Sequence, residues 1–214
     1  MIDDRALTAL RGHDSELAQA AAALAVAGAA DPWQVALGDA DRRLLALHRS
    51  ATGRDLEVTV TCPACGCLNS AVLAPSTVPP WEPRSLWWAP GSGLREPVLA
   101  DLADLPSDPL AAGLELLRRC AVGPLPDSAS PDDVASVDTT LAGPLVVSCV
   151  ECDVVIEAPV DVEPLVLTAL FQRLDAVDVE VHLLAAAYGW DLATIEALPD
   201  DRRSRFASLV AEGR

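Results

Sequence analysis

Apolar positions recur along this chain at two different periods, and the places where the period changes divide it into parts. From about Asp14 to Ala27 the spacing predicts an Ala-rich helix, with Asp14 or Ser15 available as N-cap. Asp31-Pro32 supplies an N-cap followed by proline at the first helical position, which predicts a second helix. That helix should carry Trp33, Leu37, Leu44, Leu45 and Leu47 toward a core and end near Gly53. The period then drops to two. Leu56, Val58 and Val60 alternate with Glu57, Thr59 and Thr61, the pattern of a half-buried strand. This strand runs into Cys62-Pro63-Ala64-Cys65-Gly66, and a short return strand is expected from Asn69 to Leu73.

Pro75 to Pro97 reads as a Pro-rich irregular segment holding Trp81, Trp87 and Trp88. Asp101 to Cys120 looks helical, with Leu102, Leu105, Leu110, Leu114 and Leu117 near helical spacing. Pro106 and Pro109 should divide it into a short turn and a longer helix. A loop follows to Pro131, then a short helix to Val137. A second strand, knuckle, strand unit comes next. Leu145, Val146 and Val147 lead into Cys149-Val150-Glu151-Cys152, and Val154, Ile156 and Ala158 alternate away from it. Glu163 to Tyr188 is a long amphipathic stretch closed by Gly189, followed by short helices to Leu198 and to Ala211.

Composition sharpens this reading. Hydrophobic residues make up 51% of the 214, too many for a disordered chain, and only 4% are aromatic. The apolar content is largely Ala, Leu and Val, so mostly helical structure is expected. The formal net charge is −17, and all cationic side chains other than His are Arg. Such an acidic surface repels phosphate backbones and anionic membrane surfaces, so neither nucleic acid nor membrane is an expected partner. No stretch reaches the ~18 apolar residues of a membrane span. Met1-Ile2-Asp3-Asp4 lacks the basic start of a signal peptide, so a cytoplasmic location is expected. In that reducing compartment six Cys argue for metal binding or reactivity rather than disulfides.

Two residues between paired Cys let both sulfurs reach one ion from a tight turn, and Gly66 eases the positive φ such a turn needs. Two hairpins meeting tip to tip would supply Cys62, Cys65, Cys149 and Cys152, the four-thiolate set of a closed structural Zn²⁺ site. Four-Cys sites commonly separate their pairs by about 15–20 residues. Here the gap runs from Cys65 to Cys149, which an insertion between two locally complete hairpins explains. The competing readings are two buried thiols at a site without metal, or a CxxC redox pair. The redox pair is expected to open a helix in a βαβ setting, whereas both pairs here lie between strands. Cys67 is left out of the ligand set, and Cys120 reads as a small buried hydrophobe.

The expected fold class is therefore α+β and mainly helical. A small zinc-ribbon-like antiparallel β element of two Cys-knuckle hairpins (54–75 and 141–160) joins N-terminal helices (1–53), a Pro- and Trp-containing, partly helical insertion (76–140) and a C-terminal helical region (161–214).

Nothing in the chain spells catalysis. His13, His48 and His182 fit no ligand pattern, and His48 and His182 are expected to cap or line helix surfaces. There is no GxSxG, P-loop or GxGxxG. Four Cys would close the shell of a zinc ion, leaving no open position for a substrate. Trp87 and Trp88 could anchor a partner or cover the insertion's own core, and the second is the expectation.

The order of motifs resembles the T4-type baseplate hub assembly chaperones encoded with contractile phage tails and contractile injection systems. The residues that carry the resemblance begin with Leu45-Ala46-Leu47-His48-Arg49 and Gly53 ahead of the first Cys pair. Arg95-Glu96-Pro97, Asp101-Leu102 and Leu116-Leu117-Arg118-Arg119-Cys120 follow. Ala158-Pro159-Val160-Asp161-Val162 comes after the second pair, then His182-Leu183-Leu184-Ala185, Tyr188-Gly189-Trp190, Ile195, Leu198 and Arg202-Arg203. Cys149-Val150-Glu151-Cys152 departs from the Cys-Pro-x-Cys-Gly form expected there. The resemblance implies help in assembling, or membership of, a baseplate, and it implies no reaction; zinc binding and the acidic character come from the Cys spacing and the composition. Its partners would be baseplate or hub proteins, with no small-molecule substrate. The alternatives are a zinc-ribbon adaptor or regulator unrelated to phage tails, and a CxxC thiol oxidoreductase. Trp190 is expected to pack under the last helix near Phe206.

Overall fold

In the computed structural model, residues 4–213 are described; Met1-Ile2-Asp3, on which the expected absence of a basic leader partly rests, lie outside them. The chain is α+β, with small antiparallel sheets and a close cluster of four cysteines. It divides into two compact units, 1–167 and 168–214.

The first unit opens with α1 (Asp4–Thr8) and α2 (Glu16–Val26), the latter capped by Ser15 Oγ, which accepts from the Ala18 amide at 3.2 Å. The helix expected from Asp31-Pro32 starts later, because Pro32–Gln34 forms a 3-10 turn and α3 spans Leu37–Thr52. The intervening residues are drawn into pairing with a distant segment. Leu37 N–H donates to Pro97 O at 2.9 Å, and Leu99 N–H donates to Val35 O at 3.0 Å. The proline therefore caps a turn, and Trp33 is exposed rather than carried into the core. Leu44, Leu45 and Leu47 of α3 are buried as expected, and Gly53 ends the helix at φ +70°.

Strands β1 (Leu56–Thr61) and β2 (Leu68–Leu73) pair antiparallel, with Leu56 opposite Leu73 and Thr61 opposite Leu68. The Pro-rich segment is more ordered than its composition predicts. It contains a hairpin, β3 (Ser85–Ala89) and β4 (Ser92–Arg95), turned at Pro90-Gly91 with Gly91 at φ +76°. Trp87 and Trp88, neighbours on a strand, point to opposite faces. Trp88 packs against the buried Leu94, Leu117, Cys120, Val134 and Val137, whereas Trp87 is exposed.

Helix α4 runs Pro109–Cys120, followed by β5 (Ala121–Val122), which pairs with β4, and α5 (Pro131–Val137). The leucines at near-helical spacing are buried only in part. Leu117 is buried, while Leu110 and Leu114 are exposed. The reason is the side that α4 offers to α5: a Cβ on Gly113 would lie 3.1 Å from Pro131.

Strands β6 (Gly143–Ser148) and β7 (Val155–Val160) form the second Cys hairpin. Helix α6 (Val162–Tyr188) begins in the first unit and continues into the second, which also holds α7 (Leu192–Glu196) and α8 (Asp200–Ala211). The second unit has its own core of Leu184, Ile195 and Ala207, with Trp190 and Phe206 packed against it. Among the described residues no helix is long and apolar enough to cross a membrane.

Candidate metal centre

The two Cys hairpins are copies of one local structure at a constant offset. Cys149 lies 87 positions after Cys62 and Cys152 87 after Cys65; the strand ends and pairing register shift by the same amount. In the first knuckle the Cys62 amide donates to Cys67 O at 2.8 Å and the Gly66 amide to Cys62 O at 2.9 Å. In the second, the Cys149 amide donates to Val154 O at 2.9 Å and the Asp153 amide to Cys149 O at 3.0 Å. The residue after the second Cys adopts a left-handed conformation in both, Gly66 at φ +74° and Asp153 at φ +57°. Asp is among the few residues that tolerate this without glycine's freedom.

The hairpins pack through their inner faces. Val58, Val60, Cys62, Cys149, Ile156 and Val160 form one buried cluster. Neither two-stranded sheet would be stable in isolation. Their packing brings the sulfurs of Cys62, Cys65, Cys149 and Cys152 within 4.8 Å of one another. In each pair the first Cys is buried and the second reaches the surface.

Two close sulfur contacts cross between the hairpins. Cys62 Sγ lies 3.7 Å from Cys152 Sγ, and Cys65 Sγ lies 3.6 Å from Cys149 Sγ. A tetrahedral ion with metal–sulfur bonds of about 2.3 Å has sulfur–sulfur edges of about 3.8 Å. The donor set therefore fits a metal ion, and all four residues expected from the sequence can hold it. Electrostatics point the same way. Two thiolates 3.7 Å apart repel by roughly 4–5 kcal/mol at an effective dielectric constant of 20. Four thiolates so close would need a cation among them, and without one the cluster keeps part of its protons. The Glu151 amide N–H, with that of Cys152, pulls the Cys149 thiol down to about 6 against its burial. Cys152 is lowered by the Val154 amide, yet Cys65, burial and the other sulfurs push it up to about 12.

Cys67 and Cys120 stand outside the set. Cys67 Sγ faces its neighbour's carbonyl, Leu68 O, at 3.4 Å. Cys120 is fully buried in the insertion's core, 3.9 Å from Asp101 Oδ2, and burial followed by the Asp101 charge pushes its thiol up to about 12. That is an inert thiol.

Sequence reasoning missed Asn69. Its buried side chain accepts from the Val150 amide at 2.9 Å through Oδ1. Its Nδ2 donates to Cys67 O at 3.0 Å and lies 3.8 Å from Cys149 Sγ. The only signal was an Asn at an inward position of a strand whose other inward residues are apolar.

Comparison of the chain with protein-family profiles, with curated proteins and with solved structures returned no match.

The residues that carry the resemblance serve the fold of this chain itself. Arg95 grips Asp101 through two bonds, of 2.6 and 2.9 Å, and Arg119 donates to the carbonyls of Asp101 and Ala103. Glu96 is buried and accepts from Trp81 Nε1 and Thr139 Oγ1. Within the second unit Tyr188, Trp190 and Phe206 form an aromatic cluster, with Trp190 stacked on Tyr188 at 4.8 Å and edge-on to Phe206 at 5.8 Å. Arg203 is buried and bound to Glu180 at 2.9 Å and Asp200 at 3.1 Å. His48, expected on a helix surface, is buried with no partner for Nδ1, and burial lowers its basicity.

Proposed function

We propose that the protein is a non-enzymatic, cytoplasmic zinc protein. Its two Cys hairpins form a zinc-ribbon-like clasp around one structural Zn²⁺, and its helical surfaces serve in assembling, or form part of, the baseplate of a contractile injection system. The observation that carries the zinc reading is the gathering of four sulfurs within 4.8 Å of one another across two hairpins of the same backbone pattern, with two cross-hairpin edges of 3.6 and 3.7 Å. Zinc is the ion of choice for a closed four-thiolate shell with no redox role. The same spacing weighs against a CxxC oxidoreductase. A redox pair reacts within its motif, whereas each sulfur here also has one from the opposite hairpin within 3.7 Å.

A closed shell leaves no position for substrate, so the function is assigned to surfaces. The baseplate assignment rests on the order of motifs from Leu45 to Arg203. Exposed apolar side chains, Trp87 with Leu110 and Leu114 one turn apart on α4, support a protein partner. The net charge of −17 argues against nucleic acid. Co-purification tests the reading: the tagged chain should retain baseplate or hub proteins when co-expressed with them. Retention of none of them, with one zinc bound, would favour an adaptor unrelated to tails. A chain without metal that readily forms a disulfide would favour the oxidoreductase.

A further inference from the structure

Two of the differences between the hairpins compensate each other. Position 63 of the first knuckle is Pro63, which has no N–H; its counterpart 87 positions on is Val150, which has one. Inward position 69 of the first hairpin is Asn69; its counterpart is Ile156, and both are buried at 4% exposure. An amide buried among apolar side chains is costly unless its bonds are made. Those of Asn69 are made by the opposite hairpin: Oδ1 accepts the Val150 N–H at 2.9 Å, and Nδ2 reaches Cys149 Sγ at 3.8 Å. Nδ2 also donates to Cys67 O at 3.0 Å, which ties the side chain to its own knuckle.

We infer that Asn69 is the positioning residue of the metal centre: it holds the proline-free second knuckle in ligating geometry and donates a hydrogen bond to the Cys149 sulfur. Proline rigidifies the first knuckle and removes a donor that would otherwise need a partner. The second knuckle keeps the donor, and Asn69 both satisfies it and fixes its place. The bond to sulfur draws charge from a site that carries four thiolates around a divalent ion, as partners outside the ligand shell do in other metal centres. This inference rests on the zinc reading above.

The test uses the full chain with two probes, Zn²⁺ in competition with a chelator and Co²⁺ followed by its sulfur-to-metal charge-transfer bands. Asn69→Asp preserves shape and the acceptor for Val150 but cannot donate to sulfur. It should bind Zn²⁺ about 10–100-fold more weakly and shift the charge-transfer bands to lower energy. Asn69→Ile places in the first hairpin the residue its partner already carries, and should weaken binding at least as much. Adding Val150→Pro should recover part of that loss, because the orphaned N–H is removed. Unchanged affinity and unchanged bands in Asn69→Asp would overturn the inference while leaving the zinc reading intact. Absence of any metal from the wild-type chain would overturn both. If Asn69→Ile does not fold, the bands of Asn69→Asp still decide, since packing alone does not move them.

Discussion

Breaking the cross-hairpin link should loosen one part of the molecule selectively, and the size of the effect follows from the chain separation. Cys62→Ser removes one thiolate, and chelation of the wild-type chain removes the whole link without a mutation. The proposed ion would join Cys65 to Cys149, 84 residues apart in sequence. Treated as a cross-link over that loop, it restricts the unfolded chain by about 4–5 kcal/mol. That is a large part of the stability of an ordinary domain. For a chain of this size it corresponds to a fall in Tm of roughly 10–20 °C. Amide hydrogen exchange should localise the damage to 56–73 and 143–160, whose common core is Val58, Val60, Ile156 and Val160. The insertion has its own buried cluster around Leu94, Leu117 and Val134 and should stay protected. A Cys62→Ser chain that keeps one ion at undiminished affinity would refute the reasoning. So would a chelated wild-type chain whose hairpin amides stay protected.

Asp41 is buried and accepts from the Leu141 amide at 2.6 Å, and burial lifts its carboxyl from 3.8 to about 6. A raised value means the neutral form favours folding, so its contribution is full below pH ~4 and is lost as pH rises through about 6. Asp41→Asn should therefore gain about 3 kcal/mol on the wild type between pH 4 and pH 8. Denaturant titrations of both chains at each pH test this, and the loss of metal in acid largely cancels from the difference. Arg203→Ala leaves Glu180 without its buried cation, while Asp200 keeps Arg173 at 3.2 Å, and should cost about 3–5 kcal/mol, read by thermal denaturation. At the left-handed position of the first knuckle, Gly66→Ala should cost about 1–2 kcal/mol. Gly66→Asp should cost less, because Asp153 occupies the matching position of the second knuckle; the order of the two melting temperatures checks it.

The hairpins and their four clustered cysteines were legible because their signals are local. Alternation places the strand at Leu56–Thr61 and the one through Ile156 and Ala158, an apolar run marks Leu145 to Val147, and the CxxC spacing places each pair of sulfurs. The caps at Ser15, Gly53 and Gly189 were legible for the same reason. What escaped depends on residues far apart in sequence. Asp31-Pro32 carries good helix-start signals, but pairing of Val35 and Leu37 with the chain near Pro97 and Leu99 delays α3. The hairpin at 85–95 was hidden by its prolines, although Pro90-Gly91 between two short strands is itself a turn signal. Leu110 and Leu114 have helical spacing, yet the face α4 turns to Pro131 is centred near Gly113 and Leu117 and leaves them at its margin. Asn69 had no local signal of its role, because the N–H it holds belongs to Val150, 81 residues away.

The central claim is that one zinc ion joins two hairpins of a single chain through Cys62, Cys65, Cys149 and Cys152. Metal analysis of the purified monomer combined with X-ray absorption at the zinc edge tests it most directly. The account predicts one zinc per chain with four sulfur neighbours at about 2.3 Å. A chain that carries no metal, zinc with oxygen or nitrogen in its shell, or one ion shared between two chains would contradict it.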